Sequence, residues 1–390
     1  MLAGPAGAQQ IELKPLADAR LRWEHVDQDP LPRDADAVTA RVRSGLQASL
    51  DGWSALVESE AVLGILPHYN DGLNGKTRYP VVGDPQNIEL NRAQIRRTWR
   101  SGSITAGRQL LELADQRFVG SANFRQSQQS FDAVRLVAAP AGGLSIDLSY
   151  AWSNRTINGI DGRGARQQAV SGDNIFALVG YKTPIGTLTG FAYLVDQDEA
   201  AVQGYRLSSQ SYGVRLAGNR PLGPGWKLAY AASVATQSDY HRNPNRYRAR
   251  YRAAEASLTH AVVTGTAGFE ILGADRGAAL TSFQTPLSSL FKFQGWADKF
   301  LTTPPDGVRD YYAGLTGAWP KVGTLSGLSA TIAYHRFTSD RLVRRYGDEW
   351  DALAGAKTGG IAYSLRYARY SADKFATATD KLWLTAEWAL

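Results

Sequence analysis

Cysteine is absent from the 390-residue chain, and its one methionine is the first residue. The first absence excludes disulfides, thiolate metal sites and cysteine nucleophiles together. No apolar run approaches the roughly 18–20 residues that a membrane-spanning helix requires, so a helical membrane protein is excluded as well. Charge of one sign is also scarce. The 43 basic and 36 acidic residues leave a formal charge of +7, dispersed in a way that makes no nucleic-acid-binding face. The five histidines, His25, His68, His241, His260 and His335, are scattered, with no paired spacing for a metal. No G-x-S-x-G elbow occurs. Gly75-Lys76-Thr77 resembles the end of a phosphate-binding loop, but Asn70 stands where its first glycine belongs. The sequence thus assigns no catalytic residue, no cofactor and no metal.

What is present is glycine, 39 residues, and aromatic side chains, 10 % of the chain, set in an alternating pattern. In Leu144–Trp152 the residues Leu144, Ile146, Leu148, Tyr150 and Trp152 fall on one face, with Ser145, Asp147, Ser149 and Ala151 on the other. Successive strand side chains face opposite sides, so this is a strand with one apolar and one small or polar face. Similar patterns occur at 19–24, 212–216, 328–334, 361–367 and 382–388.

Connection lengths separate a membrane barrel from a soluble sandwich. Eighteen strands are expected, at about 11–27, 38–50, 53–66, 88–100, 103–113, 130–139, 144–155, 173–183, 187–196, 209–219, 226–238, 247–263, 266–274, 308–319, 328–338, 348–357, 360–371 and 380–390. Every second connection is tight, as at Asp51-Gly52, Ser101-Gly102, Thr264-Gly265 and Thr358-Gly359, and the others are longer. An even strand count with turns segregated by parity is the signature of an outer-membrane barrel. The expected fold is all-β, a transmembrane antiparallel up-and-down β-barrel of about 18 strands with short periplasmic turns and long extracellular loops. Residues 11–390 form that single domain. Residues 1–10 (MLAGPAGAQQ) read as a signal-peptide remnant or flexible tail.

The apolar face includes Trp23, Tyr150, Trp152, Tyr212, Tyr230, Tyr334, Tyr363, Tyr367 and Trp388, many at strand ends where amphipathic rings meet the membrane interface. The opposite face carries Arg20, Arg22, Glu24, Arg41, Arg43, Glu58, Glu60, Arg92, Arg96, Asp147, Arg215, Glu270 and Arg366. Arginine or lysine on the lipid face costs about 2–4 kcal/mol at mid-bilayer, so these side chains are expected to face a wet lumen or lie above the bilayer. Arg20, Arg22, Arg41 and Arg43 fall on the first two strands and form a ladder of guanidiniums. Like charges across a strand pair repel. Glu24, Glu58 and Glu60 are expected to neutralise part of the ladder, and the remainder to favour anions. In 88–100 and 247–263 the phase slips near Arg96-Arg97 and Arg252–Glu255, as a bulge would cause.

Two loops stand out. Residues 114–129 carry Arg117 and Arg125, and lead into Phe131, Asp132 and Arg135. Residues 275–307 hold Phe283, Phe291, Phe293, Trp296 and Phe300, aromatics expected to pack as a plug, a short helix or a lid. Around these loops, Gly107-Arg108-Gln109, Asp115–Gly120, Phe124-Arg125-Gln126, Ser130–Arg135, Phe283–Leu287 and Phe293–Phe300 resemble the alginate-export family of outer-membrane porins. The resemblance implies an eighteen-stranded barrel with an arginine-lined constriction gated by loops, and passive passage of an anionic polysaccharide. It marks Arg117, Arg125 and Arg135 as constriction residues, with Asp115 and Asp132 as their partners. The expected solute is an acidic saccharide or a small organic acid. The alternative is a barrel enzyme or surface-binding protein with a loop-plugged lumen. The expected partners are outer-membrane lipid, lipopolysaccharide and the barrel assembly machinery, with no nucleic acid, and the chain is expected to be a monomer.

Overall fold

The computed structural model describes residues 10–200 and 203–390; apart from Gln10, the expected tail at 1–10 lies outside the described residues. Eighteen strands follow one another in chain order: β1 (Glu12–Gln28), β2 (Ala35–Leu50), β3 (Trp53–His68), β4 (Asn87–Trp99), β5 (Gly102–Gln109), β6 (Ser130–Ala138), β7 (Leu144–Arg155), β8 (Ala169–Thr183) and β9 (Gly186–Val195), then β10 (Ser209–Gly223), β11 (Trp226–Asp239), β12 (Arg248–His260), β13 (Val263–Leu272), β14 (Val308–Val322), β15 (Leu325–Thr338), β16 (Arg345–Thr358), β17 (Ile361–Ala372) and β18 (Thr379–Ala389). Each pairs antiparallel with its neighbours, and β18 pairs with β1 from Asp18↔Ala389 to Gln28↔Thr379, which closes the sheet. Closure leaves no edge strand, so every spanning backbone group finds a partner without water.

The alternation sorts side chains between lipid and lumen. Leu21, Val42, Leu63, Leu315 and Leu384 are exposed on the outside. Trp53, Trp99 and Trp226 sit toward the short turns, and Tyr150, Tyr212, Tyr311 and Trp350 toward the long loops, as two aromatic belts. Inward positions such as Arg20, Arg41, Glu58 and Glu60 are buried among polar neighbours. At the β2–β3 turn Asp51 and Gly52 both adopt positive φ (48° and 75°), as a two-residue hairpin turn with matching twist requires.

Three expectations need correction. β5 ends at Gln109 instead of 113, because Leu111 and Leu113 turn inward and bury themselves in an apolar cluster with Phe118 and Val119. The bulge in β4 lies at Asn91, not at Arg96-Arg97: the register with β3 shifts between Glu58 and Ser59. Asn91 there turns into the lumen and donates to Glu58 (2.8 Å) and Gln128 (2.9 Å). β12 does not slip at all. It pairs without a break to β11 and β13, with Ala249 and Tyr251 inside and Arg248, Arg250 and Arg252 exposed outside. The apparent phase change arose because the outward face turns from apolar to basic where it leaves the bilayer.

The hydrophobic core lies inside the barrel. Loop 3 (110–129) and loop 7 (273–307) fold into the lumen and bring Phe118, Phe283, Leu287, Phe291 and Phe300 against wall residues Phe131, Phe176, Tyr193, Tyr251, Phe337 and Tyr370. The aromatic-rich loop is therefore a packed plug, with one short 3₁₀ turn at Leu290–Lys292.

Candidate functional site

Loops 3 and 7 together form a partition across the lumen, and backbone joins them first. Val119 bridges Leu287 in parallel, and Gly120 N–H donates to the Leu287 carbonyl (2.9 Å). The Gln129 side-chain amide donates to the carbonyls of both Gly120 and Leu287 (2.8 and 2.9 Å). A Cβ on Gly120 would lie 2.3 Å from Ser289 Oγ, so the close approach requires glycine there.

Ion pairs then tie the partition to the wall. Arg117, 1 % exposed, donates through Nε to Glu270 on β13 (2.5 Å) and through Nη1 to Thr285 (2.9 Å). Arg125 donates to Asp298 of loop 7 (2.7 Å), and Lys381 of β18 donates to the same oxygen (2.9 Å). Burial by itself would raise the Asp298 carboxyl, but Arg125 and Lys381 outweigh it and hold it down at about 2. Glu349 on β16 accepts from the N–H groups of Trp296 and Ala297 (2.5 and 2.7 Å). Gly295, at φ +78°, leaves room for that carboxylate: a Cβ there would meet it at 2.4 Å.

The guanidinium ladder is real but heavily compensated. Arg20 and Arg41 face each other across β1–β2 and share Glu387 (2.8 and 3.0 Å). Arg43 pairs with Asp18 (3.0 Å) and Glu60 (3.6 Å), while Arg22 reaches Asp84 (3.4 Å). Glu58 does not serve the ladder; it holds Arg92 (2.9 Å). Glu24 is buried, and neither of its carboxylate oxygens accepts a hydrogen bond. Arg20 and Arg22 also hold the tip of loop 3, donating to the carbonyls of Arg125 (3.1 Å) and Phe124 (2.7 Å).

The other expected site residues divide by partner. Asp115 pairs with Arg215 (3.3 Å), not with Arg117, and Asp132 takes Arg108 (2.8 and 3.0 Å) in place of a loop arginine. Arg135 binds Asp147 through two hydrogen bonds on the wall (2.9 and 2.6 Å). Arg117, Arg125 and Arg135 each hold a carboxylate, and Arg125 also lines a cavity between the two loops. Arg96 points into the lumen and donates to Ser103 (3.0 Å). Arg366 lies against aromatic faces, its guanidinium carbon 5.0 Å from the Trp296 ring centre and 5.5 Å from that of Phe124, as Arg22 lies over Phe124 (4.3 Å) and Arg117 over Phe293 (4.8 Å). Among the described residues no carboxylate lies within ion-pair distance of Arg366.

Phe124 of loop 3 and Phe291 of loop 7 stack face to face, ring centres 3.2 Å apart and planes within 3°. This pair separates two cavities. One, of about 540 Å³, opens on the long-loop side between Glu112, Asn154, Ile157 and Leu301. The other, of about 470 Å³, opens on the short-turn side and is lined by Arg20, Arg22, Lys292 and Arg366 against one carboxylate, Glu387. Asn123, Phe124, Phe291 and Lys292 border both. A third cavity, of about 370 Å³ behind loop 7, is richer in acids, with Asp115, Glu255, Glu270 and Asp310 in its lining beside Arg215, Lys292 and His335. Charge is thus segregated across the lumen, basic toward β1, β17 and β18 and acidic toward β12–β14.

Sequence reasoning missed Lys292, Asp298, Lys381, Glu349 and the Phe124–Phe291 pair as functional elements. The aromatic residues of 275–307 signalled packing as a plug, a short helix or a lid. No signal in the sequence paired a loop side chain with a wall residue a hundred or more positions away.

No family model and no curated relative matches this sequence. Solved structures do match in fold. OccAB3 of Acinetobacter baumannii is 14 % identical with a TM-score of 0.71, covering 96 % of this chain and 99 % of that one. OccK9 (OpdG) of Pseudomonas aeruginosa is 15 % identical with a TM-score of 0.73, covering 97 % and 99 %. OpdK of the same organism, solved with vanillate, is 12 % identical with a TM-score of 0.68, covering 96 % and 98 %. At such identity the likeness is one of fold, and the fold is that of outer-membrane porins. These neighbours are Occ proteins, so the comparison supports a porin barrel but does not support the alginate-export assignment.

Proposed function

We propose that this chain is a bacterial outer-membrane channel through which small anionic solutes diffuse, passing between loops 3 and 7 into the basic cavity. The observation that carries the reading is the four-to-one excess of cationic side chains there, with Arg366 uncompensated directly beneath the aromatic pair. In a narrow, low-dielectric lumen such an excess raises local anion concentration. Arg41, Arg43, Arg92, Arg96 and Arg215 contribute to the wall field, each tempered by a neighbour.

The ring faces of Phe124, Phe291 and Trp296 beside Arg366 suit a flat solute carrying a carboxylate. A neighbour of the same fold was solved with vanillate, an aromatic carboxylate, which supports that class. Two cavities of about 500 Å³ divided by a stacked pair fit compact organic acids or single acidic sugars better than a polyuronate chain. Each barrel carries its own complete partition, which fits a monomer inserted by the barrel assembly machinery. Reversal-potential measurements in planar bilayers test the reading, with vanillate and its uncharged methyl ester as competing blockers. Anion-selective current blocked by the acid alone is expected. No current at all, or cation selectivity, would refute the channel and favour a loop-plugged barrel with an enzymatic or binding role.

A further inference from the structure

The outer wall carries a basic patch that the pore does not use. On β12 Arg250 and Arg252 point outward at the long-loop end, and Arg336 does so on β15. Among the described residues none of the three has a carboxylate within ion-pair distance. Arg309 on β14 lies between them, opposite the residue that pairs with Arg252, and is held by Asp340 (2.9 Å). Of the acids near this stretch, Asp348 is taken by Arg345 and by the Tyr334 hydroxyl (2.9 Å), and Asp275 by Arg276 (3.4 Å) and the Arg248 N–H (3.2 Å).

The patch has a defined height. Arg309 stands two residues beyond Tyr311, and Arg336 two beyond Tyr334 and opposite Tyr311, so both side chains spring from the strands within about 7 Å of the interfacial aromatic belt. That is the level of lipid headgroups. Directly below, an outward groove of about 620 Å³ runs between Leu258, Gly265, Ala267, Ala313, Leu315 and Ile332. The alanines and glycine make a channel in an otherwise bulky coat, wide enough to seat acyl chain. The far side of the same rim is acidic, with Asp27, Asp36 and Asp380 outward on β1, β2 and β18. A general need for charge above the bilayer explains neither the segregation nor the groove.

We infer that β12–β15 form a binding site for a lipid of the outer leaflet that carries two phosphates, its chains in the groove and its phosphates on Arg250, Arg252 and Arg336. The arginines span three strand intervals, roughly 14 Å, too wide for one phosphate and suited to two on a single headgroup. The site depends on which way the barrel sits in the membrane and not on whether it conducts.

Native mass spectrometry of the detergent-solubilised full chain tests this, offering diphosphoryl lipid A, monophosphoryl lipid A and phosphatidylcholine. The unaltered chain should retain one diphosphoryl lipid in preference to the other two. A triple variant, R250Q/R252Q/R336Q, should bind it on the order of a hundredfold more weakly, since each basic residue near a charged lipid surface contributes about a factor of five. Ala256→Phe, which fills the groove and leaves the arginines alone, should also weaken retention. Conductance should be unchanged in both variants. Equal retention of all three lipids by the unaltered chain, or undiminished diphosphoryl binding by the triple variant, would overturn the site.

Discussion

Arg366→Gln is the substitution that bears most directly on how the pore chooses its ions. The side chain lies 5.0 Å from the Trp296 ring centre, about where the anionic end of a solute stacked on that ring would rest. At that separation one unit charge contributes about 0.8 kcal/mol if the medium behaves as bulk water, and about 1.7 kcal/mol if the wall halves its dielectric constant. Anion passage should accordingly fall about four- to sixteenfold, and because the same charge repels cations, the anion-to-cation permeability ratio should fall about sixteen- to 270-fold. The assay is the reversal potential across a bilayer under a shallow potassium chloride gradient. Arg366→Lys should retain most of the selectivity, because the charge survives while the flat face is lost. At about 1 M salt, where screening acts within roughly 3 Å, the two variants and the unaltered channel should converge. An Arg366→Gln channel as selective as the original at low salt would refute the assignment of the site to this cavity.

Other outcomes follow from the partition. Arg117→Gln should leave selectivity nearly intact but cost about 3–5 kcal/mol in loop anchoring, since it strands buried Glu270, and single-channel records should turn noisy. Asp298, held at about 2 in the folded state against an ordinary value near 3.9, contributes about 2 kcal/mol that is present above pH 4 and lost as pH falls toward 2. Conductance should therefore be stable down to pH 4 and become erratic below it, and Asp298→Asn should show that behaviour at pH 7. Phe124→Ala removes half of the stacked pair and should raise single-channel conductance, with vanillate block weakened; an unchanged conductance would place the narrowest point elsewhere. Gly295→Ala, forcing a Cβ onto Glu349, should reproduce the noise of Arg117→Gln.

The wall was readable residue by residue and the interior was not. Alternation such as Leu144–Trp152 exposes strand period directly, and turns such as Asp51-Gly52 announce themselves by the positive φ they need. These are local properties, and the eighteen strands follow from them. The partners of the arginines were illegible for a different reason. Arg117 and Glu270 are 153 positions apart, and which of many carboxylates a loop arginine meets depends on how two loops pack against each other. Charge at a position is visible in a sequence; whether it is spent on a neighbour is not. Arg366 was named among many inward arginines, and aromatic surroundings without a carboxylate partner among the described residues set it apart.

The ties of the partition also carry an order of events. Loop 7 hangs from Glu349 on β16 and, through Asp298, from Lys381 on β18, while the tip of loop 3 is held by Arg20 and Arg22 on β1. β1 and β18 are the first and last strands to emerge during synthesis, and they meet only when the sheet seals. The two loops join each other through Val119, Gly120 and Leu287, and loop 7 reaches β16, without that seam, whereas the hold of Arg20 and Arg22 on the tip of loop 3 lies beside it. Sealing the wall is therefore also the step that fixes the tip of loop 3 to β1 and sets the Lys381 anchor of loop 7 beside it.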